Sequence, residues 1–178
     1  MKKDIKIWEH ASEIMQAVEG GVLLTTKAGE TLNAMTISWG SIGIEWSKPI
    51  FTVYVRENRF TRQQLDRNRE FTINIPHGEF DKKILGFCGS RSGSKVNKLK
   101  ELGLTLENSD LVSVPGIKEL PLTLECKVLY KQLQDKNEIS EEFKQAFYPY
   151  DVDSSHYGAN KDFHVAYYGE IVRAYIIE

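Results

Sequence analysis

Two turns of this chain gather the groups that hold an anion. The first, Arg56-Glu-Asn-Arg-Phe-Thr61, follows an apolar run and leads into a helical pattern, offering Arg56, Asn58, Arg59 and the Thr61 hydroxyl. Guanidinium forks and the unpaired N–H groups of a helix start both favour a phosphate. The second, Cys88-Gly-Ser-Arg-Ser-Gly-Ser94, presents the hydroxyls of Ser90, Ser92 and Ser94, an arginine, and glycines that let the backbone approach a ligand. Ser94 is placed to cap a helix carrying Lys95 and Lys98. The Gly-Lys-Ser/Thr ending of a Walker motif is missing. Ahead of both, Asn33-Ala-Met-Thr-Ile-Ser-Trp39 alternates, with Ala34, Thr36 and Ser38 on one strand face, against which a planar ring could lie. Singly, each segment also reads as a polar turn or a solvent-facing edge. Together they predict a flat, phosphorylated, nucleotide-like ligand.

His164 lies in Asp162-Phe-His-Val-Ala-Tyr-Tyr-Gly-Glu-Ile-Val172, at the mouth of a predicted strand. An imidazole there can stabilise developing negative charge or move a proton, and equally can serve as a structural hydrogen-bonding group. His10, His77 and His156 have no partners at metal-ligand spacing. Cys88 and Cys126 form no metal or redox motif and read as reduced thiols of a cytoplasmic protein. No Gly-x-Gly-x-x-Gly follows a strand, so no separate dinucleotide domain is expected.

The elements that must position these groups are mainly strands. Val22–Thr26, Thr31–Trp39, Ile50–Arg56, Phe71–Ile75, Leu120–Tyr130 and Phe163–Ile177 read as strands. In the fifth, Leu120, Leu122, Leu124, Cys126, Val128 and Tyr130 share a face opposite Thr123, Glu125, Lys127 and Lys131, as an antiparallel strand with one wet side would arrange them. Helices are expected over 12–19 (capped by Ser12), 60–68 (with a Thr61–Gln64 capping box), 80–87 and 96–102. Residues 138–158 are acidic, then aromatic, and form an excursion without a predicted structure. Many strands without regular βαβ alternation favour an antiparallel sheet closed into a barrel, with peripheral helices.

At 178 residues the chain is long enough for a single domain with a real core. Its net charge of −2 argues against a nucleic-acid binder, which must neutralise phosphates. No apolar run is long enough for a membrane-spanning helix, and no apolar segment follows the basic start as a signal peptide requires.

The ordered set of segments resembles the flavin reductase-like family, the FMN-binding split barrels, and within it the flavoredoxin-type group. The resemblance rests on Asn33–Trp39, on Lys48–Arg56 running into Arg59-Phe-Thr61, on Phe71–Pro76, on Cys88–Gly93 with Lys98, and on His164 with Gly169-Glu-Ile-Val172. It implies a six-stranded antiparallel split β-barrel, a homodimer, and FMN near the dimer interface. By this likeness Thr36 and Ser38 hold the isoalloxazine edge, with Asn33, Met35, Ile37 and Trp39 of the same motif around it. Arg56, Arg59, Phe60, Thr61, Cys88, Gly89, Ser90, Ser92, Gly93 and Lys98 surround the ribityl phosphate, and His164 is the catalytic candidate. The implied activity is hydride transfer from NADH or NADPH to FMN, then onward to free flavin or a partner protein. The alternative is a flavoredoxin-like electron carrier with little nicotinamide activity. Asp162-Phe163-His164 departs from the Gly-Asp-His of many reductases and bears on that choice.

Overall fold

A computed structural model describes residues 1–150, 152–153 and 161–178. In chain order the strands are β1 (Lys2–Asp4), β2 (Val22–Ala28), β3 (Thr31–Ile37), β4 (Gly40–Glu45), β5 (Lys48–Arg56), β6 (Glu70–Ile75), β7 (Leu106–Glu107), β8 (Gly116–Ile117), β9 (Leu122–Leu133) and β10 (His164–Ile177). The helices are α1 (Ala11–Gly20), α2 (Phe60–Arg67), α3 (Lys83–Ser90), α4 (Lys98–Glu101) and α5 (Glu141–Phe147). The expected site residues fall on β3, the β5–α2 turn, the end of α3 with the turn after it, α4, and the start of β10.

The main sheet is antiparallel and ordered β3-β2-β6-β9-β10-β5-β4, with β1 pairing onto β10 beyond the end of β5. β3 and β4 stand at opposite ends of that order, yet only Ser38 and Trp39 connect them. Three peptide units reach at most about 11 Å. The sheet must therefore curl until its two edges nearly meet, which makes a barrel split between β3 and β4. The expected mainly-β split barrel is present. Its six predicted strands are extended to an eight-stranded sheet by β4 and the short β1.

The barrel interior is packed by alternate residues of the strands, among them Leu24, Phe51, Val53, Phe71, Ile73 and Leu124. Gly169 is needed where β10 crosses this core: a Cβ there would lie 2.4 Å from the Phe71 ring. A register shift between Tyr168 and Gly169 marks the same point, and opposite it the β9 ladder passes from Tyr130 to Val128. This bulge breaks the simple alternation of β9, leaving Tyr130 43% exposed rather than in the core.

Several local expectations are corrected. β4 turns back onto β5 through Trp46-Ser47, both at positive φ (50° and 58°), as a two-residue hairpin requires. Thr123 and Glu125 are buried rather than wet, because residues 108–117 cover that face; the Glu125 carboxylate accepts the N–H groups of Asp110 (3.1 Å) and Leu111 (2.7 Å). α1 is preceded by His10, not capped by Ser12. Thr61 and Gln64 form no capping box, since Arg59 occupies the cap position and puts Thr61 inside α2. Instead Gln64 accepts the Thr26 hydroxyl and donates to the Thr31 carbonyl. α4 is capped by Asn97, whose side chain accepts the Lys100 N–H, so Ser94 and Lys95 precede the helix. Cys88-Gly89-Ser90 ends α3 rather than opening a helix.

Within the 138–158 excursion, Ser140 caps α5 through the Phe143 N–H. The rest of that excursion in part, and His156 with it, lies outside the described residues. No described helix is long and apolar enough to cross a membrane.

Candidate functional site

β3 is an edge strand, paired only with β2, so its outer side carries main-chain donors and acceptors that no strand satisfies. α3 and α4 pack beside it. Between this edge, the β5–α2 turn and the turn after α3 lies a cavity of about 310 Å³, of the size small-molecule sites take.

The structure brings the sequence-selected residues together around it. Asn33, Met35, Thr36 and Ile37 contribute from β3, and Ser38 and Trp39 from the split. Arg56, Arg59, Phe60 and Thr61 form a second wall, Cys88, Gly89, Ser92 and Gly93 a third; Lys98 and His164 complete it. Ser90 does not line the cavity, and its hydroxyl turns back to the Phe87 carbonyl (3.4 Å). Asn58 and Arg91 also line it, as does Tyr54, which sequence reading missed. Tyr54 shares a β5 face with Arg56 two residues on, so period-two alternation was the signal available.

One corner of the cavity is held open by a close backbone approach. Asn33 is buried, and its amide donates to Thr61 Oγ1 (2.9 Å), which in turn donates to Met35 Sδ (3.5 Å). Its Oδ1 has no hydrogen-bond partner. A Cβ on Gly93 would lie 2.0 Å from that oxygen, so only glycine lets the turn pass. A buried acceptor without a donor is costly, about 1–3 kcal/mol, and marks a place where a ligand's N–H or O–H is wanted.

The polar side chains are not equally available. Thr36 Oγ1 donates to the Leu85 carbonyl (2.6 Å), fastening α3 to the edge strand. Lys98, 3% exposed, donates from Nζ to the carbonyls of Cys88 (3.0 Å) and Arg91 (3.1 Å), shaping the serine-glycine turn. Burial, with Arg59 adding to it against the opposing influence of Cys88, lowers its pKa. An ammonium has three donors, so one beyond those two bonds can meet an anion. Arg56 is 2% exposed; Nη1 donates to the Asp162 carbonyl (2.7 Å) and Nη2 to that of Phe147 (3.1 Å). It therefore ties Phe147 and Asp162 to the end of β5 as well as lining the cavity. Arg59 and Arg91 are exposed at the cavity rim, free of that task. Burial pushes the Cys88 thiol above its ordinary pKa, which is wrong for a nucleophile.

His164 is 3% exposed and its pKa is pushed down to about 3, first by burial, then by the Arg56 and Arg59 charges. The imidazole is neutral throughout the physiological range, so it meets a ligand without positive charge. Trp39 lies against it at 4.9 Å between ring centroids, and Phe147 of α5 packs edge-on to Trp39 at 5.2 Å.

These residues fit a flavin mononucleotide. The edge strand offers main-chain partners for a ring with donors and acceptors along one side, Trp39 and Tyr54 offer apolar surface, and the basic, hydroxyl-bearing turns suit a phosphate. Among the described residues no cluster of metal ligands occurs.

Comparison with known proteins gives the same direction. The model of the "flavin reductase like domain" family matches residues 15–178. An uncharacterized protein of Archaeoglobus fulgidus is 35% identical over 100 residues, covering 56% of this chain and 55% of its own length. One of Pyrococcus abyssi is 29% identical over 106 residues, covering 60% and 59%. These matches thus span little more than half of either relative. Among solved structures, flavoredoxin from Methanosarcina acetivorans superimposes with a TM-score of 0.65 at 25% identity, over 89% of this chain and 68% of its own. An FMN-binding domain of a flavin reductases-like enzyme from Shewanella baltica gives 0.65 at 17% identity, over 99% and 77%. Because the family model covers residues 15–178, nearly the whole sequence, and the split barrel agrees with it, the chain belongs to the flavin reductase-like domain family.

Proposed function

We propose that the chain binds FMN in this cavity and acts as an oxidoreductase, taking hydride from NADH or NADPH and passing reducing equivalents to free flavin or a partner protein. The observation that carries this reading is the convergence, on one cavity, of an unpaired strand edge, an aromatic wall, basic turns and the orphaned Asn33 oxygen. FMN, when bound, supplies the hydride and electron-transfer chemistry. The chain's own part is to bind, orient and shield. Arg59, Arg91, Ser92 and the remaining donor of Lys98 hold the phosphate; Thr36, Ser38 and their main chain align the ring edge. Trp39 and Phe147 keep water from the His164 side.

A flavoredoxin-like carrier is the second reading, and one feature favours it: Phe147 of α5 packs edge-on against Trp39, which lies against His164, and so adds an aromatic ring beside the wall a nicotinamide would approach. Anaerobic mixing of FMN-loaded protein with NADH, then NADPH, separates the two. Bleaching of the flavin absorbance within seconds is the expected result; a band that only dithionite removes would leave the carrier.

The proposed assembly is a homodimer. The outward face of β4, β5, β9 and β10 exposes Ile44 (72%), Trp46 (54%) and Tyr130 (43%). Trp46, Tyr130 and Tyr168 form a continuous aromatic patch with centroid spacings of 6.3 and 5.4 Å. Contiguous apolar surface of this kind marks an interaction site. Light scattering at micromolar concentration should return twice the chain mass, and the mass of one chain would remove the dimer.

A further inference from the structure

We infer that the cleft between α1 and the split of the barrel binds an uncharged, flat ring bearing carbonyl oxygens, a quinone in chemical class, which takes electrons from flavin held in the neighbouring cavity. The electron transfer rests on the FMN reading above; the cleft's preference for an uncharged ring does not.

This cleft has a volume of about 410 Å³ and shares Ser38, Trp39 and Tyr54 with the cavity described above. A molecule in the cleft therefore lies beside whatever the first cavity holds. The rest of the lining comes from Met15, Val18 and Glu19 of α1, with Gln134 just past β9. No residue of α1 lines the first cavity, so this helix sets the chemistry of the second.

The two sites differ in charge. Arg56, Arg59, Arg91 and Lys98 line the first, whereas no lysine or arginine lines the cleft. Its one carboxylate, Glu19, lies in the last turn of α1, where the negative end of the helix dipole adds to it. Both repel a phosphate, so the cleft suits neither a nicotinamide dinucleotide nor a second FMN. Met15, Val18, Trp39 and Tyr54 supply apolar and aromatic surface, which takes a flat ring. Among the described residues the hydroxyls of Ser38 and Tyr54 make no hydrogen bond, and the Gln134 side chain makes one, accepting the Tyr148 hydroxyl at 3.1 Å. The hydroxyl protons and the Gln134 amide protons are thus uncharged donors of the kind a carbonyl oxygen accepts. A ring with conjugated carbonyls can also be reduced. A hydride, two electrons with one proton, passes from reduced FMN to the quinone, and solvent supplies the second proton. The products are the hydroquinone and oxidised FMN.

The test is a calorimetric titration of duroquinone, whose fully substituted ring does not add to thiols, into the FMN-loaded chain with its flavin oxidised, so that nothing turns over. Saturable binding at a single site is expected, with a shift of the flavin absorbance band as the site fills. Met15→Trp, which fills the cleft, should weaken duroquinone binding by about tenfold or more and leave FMN affinity unchanged. Met15 also packs against the core, so Glu19→Lys, at an exposed position of α1, is the second variant. It should tighten binding of the anionic anthraquinone-2-sulfonate by about fivefold and change duroquinone binding by less than about twofold. Absence of saturable duroquinone binding, or affinities for both quinones that neither variant alters, would overturn the inference. FMN is titrated first: a chain that takes no FMN fails the earlier reading, whereas an FMN-loaded chain without a quinone site fails this one alone.

Discussion

Arg56→Ala is expected to destabilise the chain by about 3–5 kcal/mol, the scale of deleting one partner of a buried charged contact and leaving the other unpaired. The guanidinium is 2% exposed and donates to the carbonyls of Phe147 and Asp162. Without it both carbonyls lose a charged donor, and Phe147 and Asp162 lose their tie to β5. Denaturant unfolding without flavin measures this directly. Arg56→Lys should recover only part of the loss, because an ammonium cannot reproduce a fork that spans two carbonyls. FMN affinity should also fall, by about 1.5–3 kcal/mol if the remaining charge serves the phosphate. Weaker FMN binding with unchanged stability would return Arg56 to a purely phosphate-binding role. Unchanged stability and affinity together would remove both roles.

The second large effect is acid sensitivity. His164 has a folded pKa of about 3 against an ordinary value near 6.5. Between those values the unfolded chain binds a proton that the folded chain refuses. Stability therefore falls as pH drops through this window, and His164 contributes no pH dependence above about 7. Replacing it with an uncharged residue of similar shape, His164→Gln, should flatten the stability profile between about pH 6.5 and 4. Chemical unfolding of both proteins at pH 7 and pH 5 makes the comparison. Equal losses in both would mean that the imidazole is not held neutral. Other groups also titrate in acid: Glu13, flanked by His10 (2.9 Å) and His77 (2.5 Å), has a carboxyl held below its ordinary range, so only the wild-type-minus-variant difference is diagnostic.

The legible parts of this chain were those where pattern and chemistry coincide locally. β3 and β9 announce themselves by alternation, and Asn33–Trp39, Arg56–Thr61 and Cys88–Gly93 carry types that suit one ligand. The structure gathers nearly all of those residues at one cavity. β4 was not legible because its turn uses Trp46-Ser47, where a positive φ at both positions ordinarily calls for asparagine and glycine. Alternation in β9 showed two faces, but not that residues 108–117 cover the polar one around Glu125. The Thr61–Gln64 spacing suits a capping box, yet the helix begins two residues too early for it, with Arg59 rather than Thr61 at the cap. Arg56 was read as a phosphate ligand because its carbonyl partners lie 91 and 106 residues away along the chain. Long-range pairings of that kind leave no local trace.

FMN is proposed to occupy the cavity between β3 and the Cys88–Gly93 turn. The most direct test is an equilibrium titration of FMN against the chain and its Gly93→Ala variant, followed by quenching of flavin fluorescence. A Cβ at position 93 would lie 2.0 Å from Asn33 Oδ1 and 3.1 Å from the Phe60 ring, so the turn must shift. Overpacking of this kind costs about 1–3 kcal/mol. Saturable quenching with one FMN per chain is expected, and FMN binding roughly tenfold or more weaker in the variant, with the variant still folded by circular dichroism. No saturable quenching by the wild-type chain, or equal FMN affinity in the two proteins, would contradict that placement.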